Sequence, residues 1–381
     1  MKTDKMLRGT KSAALAGVLT AALSGSALAQ QFNASIWFPD SHPLTKYGYL
    51  DWAEDLTERS GGELEPRVFT GTALLDPASH LSGVRDGIVQ VAYHAGTFTP
   101  SDLPVDNVLA QLAFSYSDYF LAAFAFTDMN MTDPATLEEW SRNGVVFGGG
   151  YATVPYVLMC NTPVETLEDI RGKKVRMPGS AHSNWATSVG AVPVNVASSE
   201  MYSGLEKGIL DCAANGINEL KTRSLWEVAH EVTMTRLGVY YAGYQYGFNK
   251  DFWADLNEDQ RRMMLDSIAD AMARTAIGYV AEADAVAAEA ESQGVTIRQP
   301  ADELAQSISD YASKARADAI ALGETQFNLE ESEAIVVRFE EKIEKWRGLL
   351  DGVDRTDEAA VAGLLKRELF DKIDVATYGI D

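Results

Sequence analysis

Residues 172–181 read GKKVRMPGSA and place three cations together in a chain that carries 32 Lys and Arg against 55 Asp and Glu. A short strand, KKVRM, runs into a Pro-Gly break, and a helix starting at Ser180 is expected to follow. In open α/β sheets ligands collect beyond the carboxyl ends of strands, where the next helix points its free N–H groups. Arg176 lies at that end. Its planar fork can hold a carboxylate by two parallel hydrogen bonds, which a lysine cannot do. Lys173 and Lys174 begin the strand at the opposite end and are expected in solvent.

The residue types that do covalent chemistry are arranged less suggestively. The five histidines (His42, His80, His94, His182 and His230) are scattered singly, and His230-Glu231 lacks a second histidine four residues on. No G-x-S-x-G, S-x-x-K or P-loop is present. Glu138-Glu139 and Glu330-Glu331 read as solvated charge on helix faces. A Ser-His-Asp triad need not be local in sequence, so an exported hydrolase or lyase acting on a small acidic or aromatic substrate stays as the alternative to a binding protein. Asp40 and His42 could bridge a cation to a carboxylate, but no ligand spacing supports it, and neither metal nor cofactor is expected.

The elements that must position Arg176 alternate in the manner of an α/β protein. Strand-like runs at 32–38, 63–69 and 88–96 alternate with helical patterns at 44–62 and 78–87. Two further helical patterns, near 119–129 and 134–143, lead into VVFGGGY (145–151), whose glycines suggest a bend or a close ligand approach. Strands resume as YVLMC, KKVRM, VPVNV and ILDCAAN, forming a second α/β unit, and VYYAGYQYGFN (239–249) reads as one more. A helical pattern over 257–293, interrupted only by Gly278, is longer than one domain is wide and should cross both halves. Three amphipathic helical patterns end the chain.

Residues 1–29 have the layout of a secretory signal: Lys2, Lys5, Arg8 and Lys11, a short apolar core, and Ala27-Leu28-Ala29 as the cleavage site. Removing these four cations and Asp4 lowers the formal net charge from −23 to −26, which argues against nucleic acid or anionic lipid as a partner. An oxidising compartment would permit a bridge between Cys160 and Cys212, both in strands of the same half, but two buried free thiols are the simpler expectation.

Three stretches carry a resemblance. ETLEDIRGKKVRMPGS, GAVPVNVASSEMYSGLEKGILDCAANG and FNKDFWADLNEDQRRMMLDSI follow one another in the order and spacing of the extracytoplasmic solute-binding subunits of TRAP transporters, the dicarboxylate-binding type, which the chain resembles up to about residue 325. The resemblance implies a two-lobed periplasmic-binding-protein-like fold with mixed sheets, strand crossovers as hinge, and a long helix spanning both lobes. It places lobe I at 30–153 plus about 241–281, and lobe II at 154–240 plus about 282–381 with the C-terminal helices. It further implies a periplasmic monomer that captures a small organic anion and docks transiently on small and large membrane subunits. A sensory subunit that passes the same ligand to a membrane receptor is a third reading.

In that family the arginine of the K-x-R motif pairs with the ligand carboxylate and falls on Arg176, while the asparagine that contacts the same group falls on Asn215. Cys212 stands where glycine is common. Many members place a second arginine on the strand entering the second domain; here Tyr156 stands there, and no arginine occurs between Arg142 and Arg171. A phenol cannot offset a second charge, so a monocarboxylate, aromatic or otherwise, is the expected ligand. His42, Tyr93, His94, Tyr151, Trp185, Tyr241 and Tyr244, at the ends of strands or starts of helices, are the expected apolar wall.

Overall fold

A computed structural model describes residues 30–380; the signal segment expected at 1–29 lies outside the described residues. Eleven strands are present among the described residues: β1 (Gln30–Ser35), β2 (Leu64–Phe69), β3 (Val91–His94), β4 (Val145–Gly149), β5 (Val157–Cys160), β6 (Lys174–Arg176), β7 (Val192–Val194), β8 (Cys212–Asn215), β9 (Glu231–Thr233), β10 (Tyr244–Asn249) and β11 (Thr296–Arg298). They sort into two sheets, β2-β1-β3-β10-β4 and β11-β9-β5-β8-β6-β7. Both sheets are mixed. In the first, β10 returns antiparallel between β3 and β4; in the second, β5 lies antiparallel to β8 and β9.

The chain passes between the sheets three times, once on the helices between β10 and β11 and twice on extended stretches, one leaving β4 for β5 and one returning from β9 to β10. The extended stretches lie side by side: Tyr156 N–H donates to Gly238 O (2.9 Å), and Thr153 N–H donates to Tyr240 O (2.9 Å). The strand expected over 239–249 is therefore shorter, because residues 239–243 are this crossover. Gly243 turns it at φ +75°, where a Cβ would stand 2.2 Å from His94 O, so only glycine fits.

The Glu258–Glu289 helix starts with a capping box at Asn257 and Gln260 and extends about 48 Å at 1.5 Å per residue. It packs on the Asp51–Arg59 helix and β4, and its far end reaches the second sheet's side through Glu289 and Lys221 (3.1 Å). The Tyr47 ring lies where a Cβ on Gly278 would be, 2.2 Å away, which explains the glycine in this helix. At Gly148 the Phe248 ring fills the equivalent space at 2.3 Å; aromatic packing, neither bend nor ligand, accounts for this glycine.

Two expectations are corrected here. The last three C-terminal helices do not pack on the second sheet's side: Ala315–Thr325 packs on Pro104–Gln111, Ser332–Leu350 on Tyr119–Thr132, and Glu358–Glu368 on the long helix, whereas the start of the Asp302–Ala312 helix bonds to Glu165 and Leu167 on that side. The physical cause lies in Tyr119–Thr132, which is buried from Tyr119 to Met131 and therefore needs cover on every face. Its Asp128 is buried and accepts from Lys342 Nζ (2.8 Å), Lys345 Nζ (2.5 Å) and Trp346 Nε1 (2.9 Å). The two thiols are not free: Cys160 and Cys212 form a disulfide. The antiparallel register of β5 and β8 sets them directly opposite, with their Cα atoms 4.0 Å apart on one face.

Candidate functional site

Arg176 ends β6, with β7 and β8 on either side. The strand neighbours hold its guanidinium flat: Nε donates to Val196 O and Nη1 to Ala214 O, both at 3.0 Å. The side chain is 4% exposed, and among the described residues no carboxylate lies within 4.0 Å of it. A buried cation without a counter-ion is costly unless something negative meets it. Lys174 is exposed and bonds to Gly208 O, while Lys173 is half-buried and bonds to Thr162, as expected for residues starting the strand. The helix after the break runs over Gly179–Ser188, with Pro178 at its N-cap; Ser180 is not the cap but donates across the cleft to Gln111 Oε1 (2.8 Å).

Arg176 faces a small, closed cavity between the two sheets, lined mostly by apolar and aromatic side chains. The segment after β1 contributes Trp37, Phe38 and His42, with Phe38 stacked on both Trp37 (4.2 Å) and His42 (4.0 Å). Tyr93 closes on Trp37 (5.9 Å) and Tyr151 (4.8 Å), and the crossovers add Tyr156 and Tyr240, stacked at 6.2 Å. Burial raises the phenols of Tyr93 and Tyr151 well above 10 and, against the opposing charge of Arg176, brings Tyr156 to about 12. The rings are therefore neutral donors at physiological pH.

Six of the expected site residues line this cavity: Arg176, Asn215, Tyr156, His42, Tyr93 and Tyr151. Four do not, mostly for reasons of strand geometry. His94 follows Tyr93 in β3 and so points to the opposite face, where it bonds to Thr99 Oγ1 (2.8 Å). Tyr244 is registered opposite His94, shares that face and packs on Trp140 (5.6 Å). Tyr241 turns away from its neighbour Tyr240 onto Phe126 (4.8 Å). Trp185 is buried beside Phe114, further along its helix.

Sequence reasoning missed Glu219 and Tyr279 in the wall, and Arg223 behind it; Tyr240 belongs to the run of tyrosines at 240–246 expected near the cleft. Glu219 lies four residues beyond Asn215, on the turn into the Glu219–Thr222 helix, and is 1% exposed. Its oxygens accept from Asn215 Nδ2 (3.2 Å) and Thr222 Oγ1 (2.9 Å) and stand 3.5 Å from His42 Nε2 and from Arg223 Nε. Burial works to raise its pKa, but His42, Arg223 and Thr222 outweigh it and hold the carboxyl below its usual range. Burial lowers the pKa of His42 despite Glu219 and keeps the ring neutral. Because His42 Nδ1 accepts from Leu44 N–H (3.2 Å), the proton of the neutral ring sits on Nε2, facing Glu219. Arg223 donates to Ser198 Oγ (3.1 Å) and lies over the rings of Trp37 and Phe38.

The serine–histidine hydrogen bond present among the described residues lies elsewhere. Ser35 Oγ lies 3.1 Å from His80 Nε2, but both are buried outside the cavity, and the other ring nitrogen meets a backbone carbonyl, Asp76 O. Asp40, which could have joined His42 around a cation, is exposed.

Two mixed sheets joined by paired crossovers, closed over a buried cavity with one unpaired cation, define a two-lobed α/β binding protein. Residues 34–319 match the family described as bacterial extracellular solute-binding protein, family 7, and the chain belongs to that family. A solute-binding protein of Chromohalobacter salexigens is 26% identical over 282 residues, 71% of this chain and 81% of its own. A TRAP periplasmic solute-binding protein of Bordetella bronchiseptica, solved with bound (R)- and (S)-mandelate, superposes with TM-score 0.72 at 20% identity over 83% of this chain and 99% of its own. One from Rhodoferax ferrireducens, in complex with copurified benzoate, gives TM-score 0.73 at 18% identity over 84% and 99%. The chain is thus a solute-binding protein of that family. Its family is extracellular, and among the described residues no helix is long and apolar enough to cross a membrane.

Proposed function

We propose that the protein captures a small organic monocarboxylate with an apolar or aromatic body in the cleft between its lobes and delivers it, as a monomer in the periplasm, to the membrane subunits of a TRAP transporter. The observation that carries this reading is Arg176, a buried guanidinium without a carboxylate partner, facing a cavity walled by aromatic rings. Tyr156 at the position of the absent second arginine supports a single ligand charge. So do the aromatic acids bound by the proteins of Bordetella bronchiseptica and Rhodoferax ferrireducens. The hinge consists of the crossovers near 153–154 and 240–241, and closure brings Ser180 to Gln111 and Glu219 to His42. The last three C-terminal helices then move with the first lobe.

Calorimetric titration with benzoate, mandelate, succinate and malate tests the assignment. Binding of the two monocarboxylates in preference to the two dicarboxylates is expected; the reverse order refutes it.

A further inference from the structure

The wall of the cavity contains a carboxylate of its own, which is unexpected in a site for anions. Besides its tyrosines and the neutral His42, the only ionisable side chains that line it among the described residues are Arg176 and Glu219. Glu219 is 1% exposed and all its contacts are internal: Asn215, Thr222, His42 and Arg223. Arg223 is 11% exposed and approaches the wall from behind, over Trp37 and Phe38. Two cations and one anion leave a single positive charge, which one ligand carboxylate cancels.

We infer that Glu219 sets the charge of the ligand: it stands in for a second ligand carboxylate by neutralising Arg223, and so makes a two-arginine site selective for monoanions. This rests on the reading of Arg176 as the carboxylate site. Glu219 is well suited to the task, because its hydrogen bonds from Asn215 and Thr222 fix it, and its contacts favour the ionised form. A ligand's second carboxylate would meet Glu219 in a space largely cut off from water, where like charges repel strongly.

The test uses acid pairs that differ by one carboxylate, butyrate with succinate and benzoate with phthalate, titrated calorimetrically at neutral pH. In the wild-type protein the monoacid of each pair should bind at least tenfold more tightly. Glu219→Gln keeps the shape, unmasks Arg223 and should move the mono-to-diacid ratio at least tenfold toward the diacid in both pairs. Arg223→Gln leaves Glu219 uncompensated and should weaken monoacid binding at least tenfold; the double variant, which restores the net charge, should recover the wild-type preference. Because the two single variants are expected to move in opposite directions, a loss of folding in one does not imitate the pattern. A ratio unmoved in Glu219→Gln, while benzoate binding still requires Arg176, overturns the role of Glu219 alone. Failure of all four acids to bind the wild-type protein overturns the carboxylate reading and this inference with it.

Discussion

Replacing Arg176 by lysine keeps the charge and removes the fork. In the present geometry two donors are spent on Val196 O and Ala214 O, and these bonds hold the guanidinium in the plane from which its remaining N–H groups address the cavity. A lysine ammonium cannot satisfy both carbonyls and also grip a carboxylate at two points. A hydrogen bond to a charged group is worth ~1.5–3 kcal/mol, so losing one should weaken carboxylate binding by roughly 10- to 150-fold. Alanine removes the charge as well, a loss of ~2–5 kcal/mol in affinity. It also strips two buried carbonyls of their donor, at ~1–3 kcal/mol of stability each where water does not replace it. The lysine variant is therefore the cleaner probe. Calorimetric titration with benzoate should be paired with thermal melts followed by circular dichroism. The expected result is a large loss of affinity with a melting temperature close to wild type. Affinity within threefold of wild type in a folded lysine variant would refute the assignment of Arg176.

Other consequences concern stability. Reducing the disulfide, or replacing Cys160 and Cys212 by alanine, releases a loop of 52 residues and should cost ~4 kcal/mol by chain entropy, measured as a shift in denaturant midpoint. Gly243→Ala forces a side chain onto His94 O at positive φ and should destabilise the protein by ~3 kcal/mol in the same assay. Burial lowers His80 to about 4 and His94 and His182 to about 3, so at these three sites the unfolded chain binds more protons than the folded one below pH 6.5. Each buried histidine should then take away about 2 kcal/mol by pH 5, partly offset by Asp106 and Glu139, which burial raises to about 7 and about 8 and which add stability as pH falls over the same window; a wild-type stability that rises as pH falls from 6.5 to 5 would contradict it.

How far the sequence could be read depended on the range of the interaction involved. Arg176 was legible because its setting is local: a strand, a Pro-Gly break and a helix within ten residues. Tyr93 and His94 were not separable without knowing which face of β3 meets the cleft, yet alternation alone ensured that only one of the two could do so. Tyr240 and Tyr241, adjacent on the crossover, likewise turn to opposite sides, Tyr240 to the cavity and Tyr241 onto Phe126. The disulfide depends on the register of β5 against β8, which no local pattern specifies. The last three C-terminal helices were misplaced because amphipathic patterning shows which face is buried but not against what. The all-round apolar character of Tyr119–Thr132 was the available signal that another helix had to cover it. Glu219 carried a weak signal, lying four residues from Asn215. Arg223 carried less, since an arginine on a polar turn is ordinary, and its relation to Trp37 and Phe38 exists only once the two lobes meet.

That a ligand carboxylate occupies the buried guanidinium of Arg176 is tested most directly by a crystal structure of the protein grown with benzoate. The expected density places the ring among Trp37, Tyr93, Tyr151 and Tyr240, with a carboxylate oxygen ~2.7–2.9 Å from Arg176. Benzoate bound with its carboxylate away from Arg176, or Arg176 paired instead with a carboxylate of the protein, would contradict it.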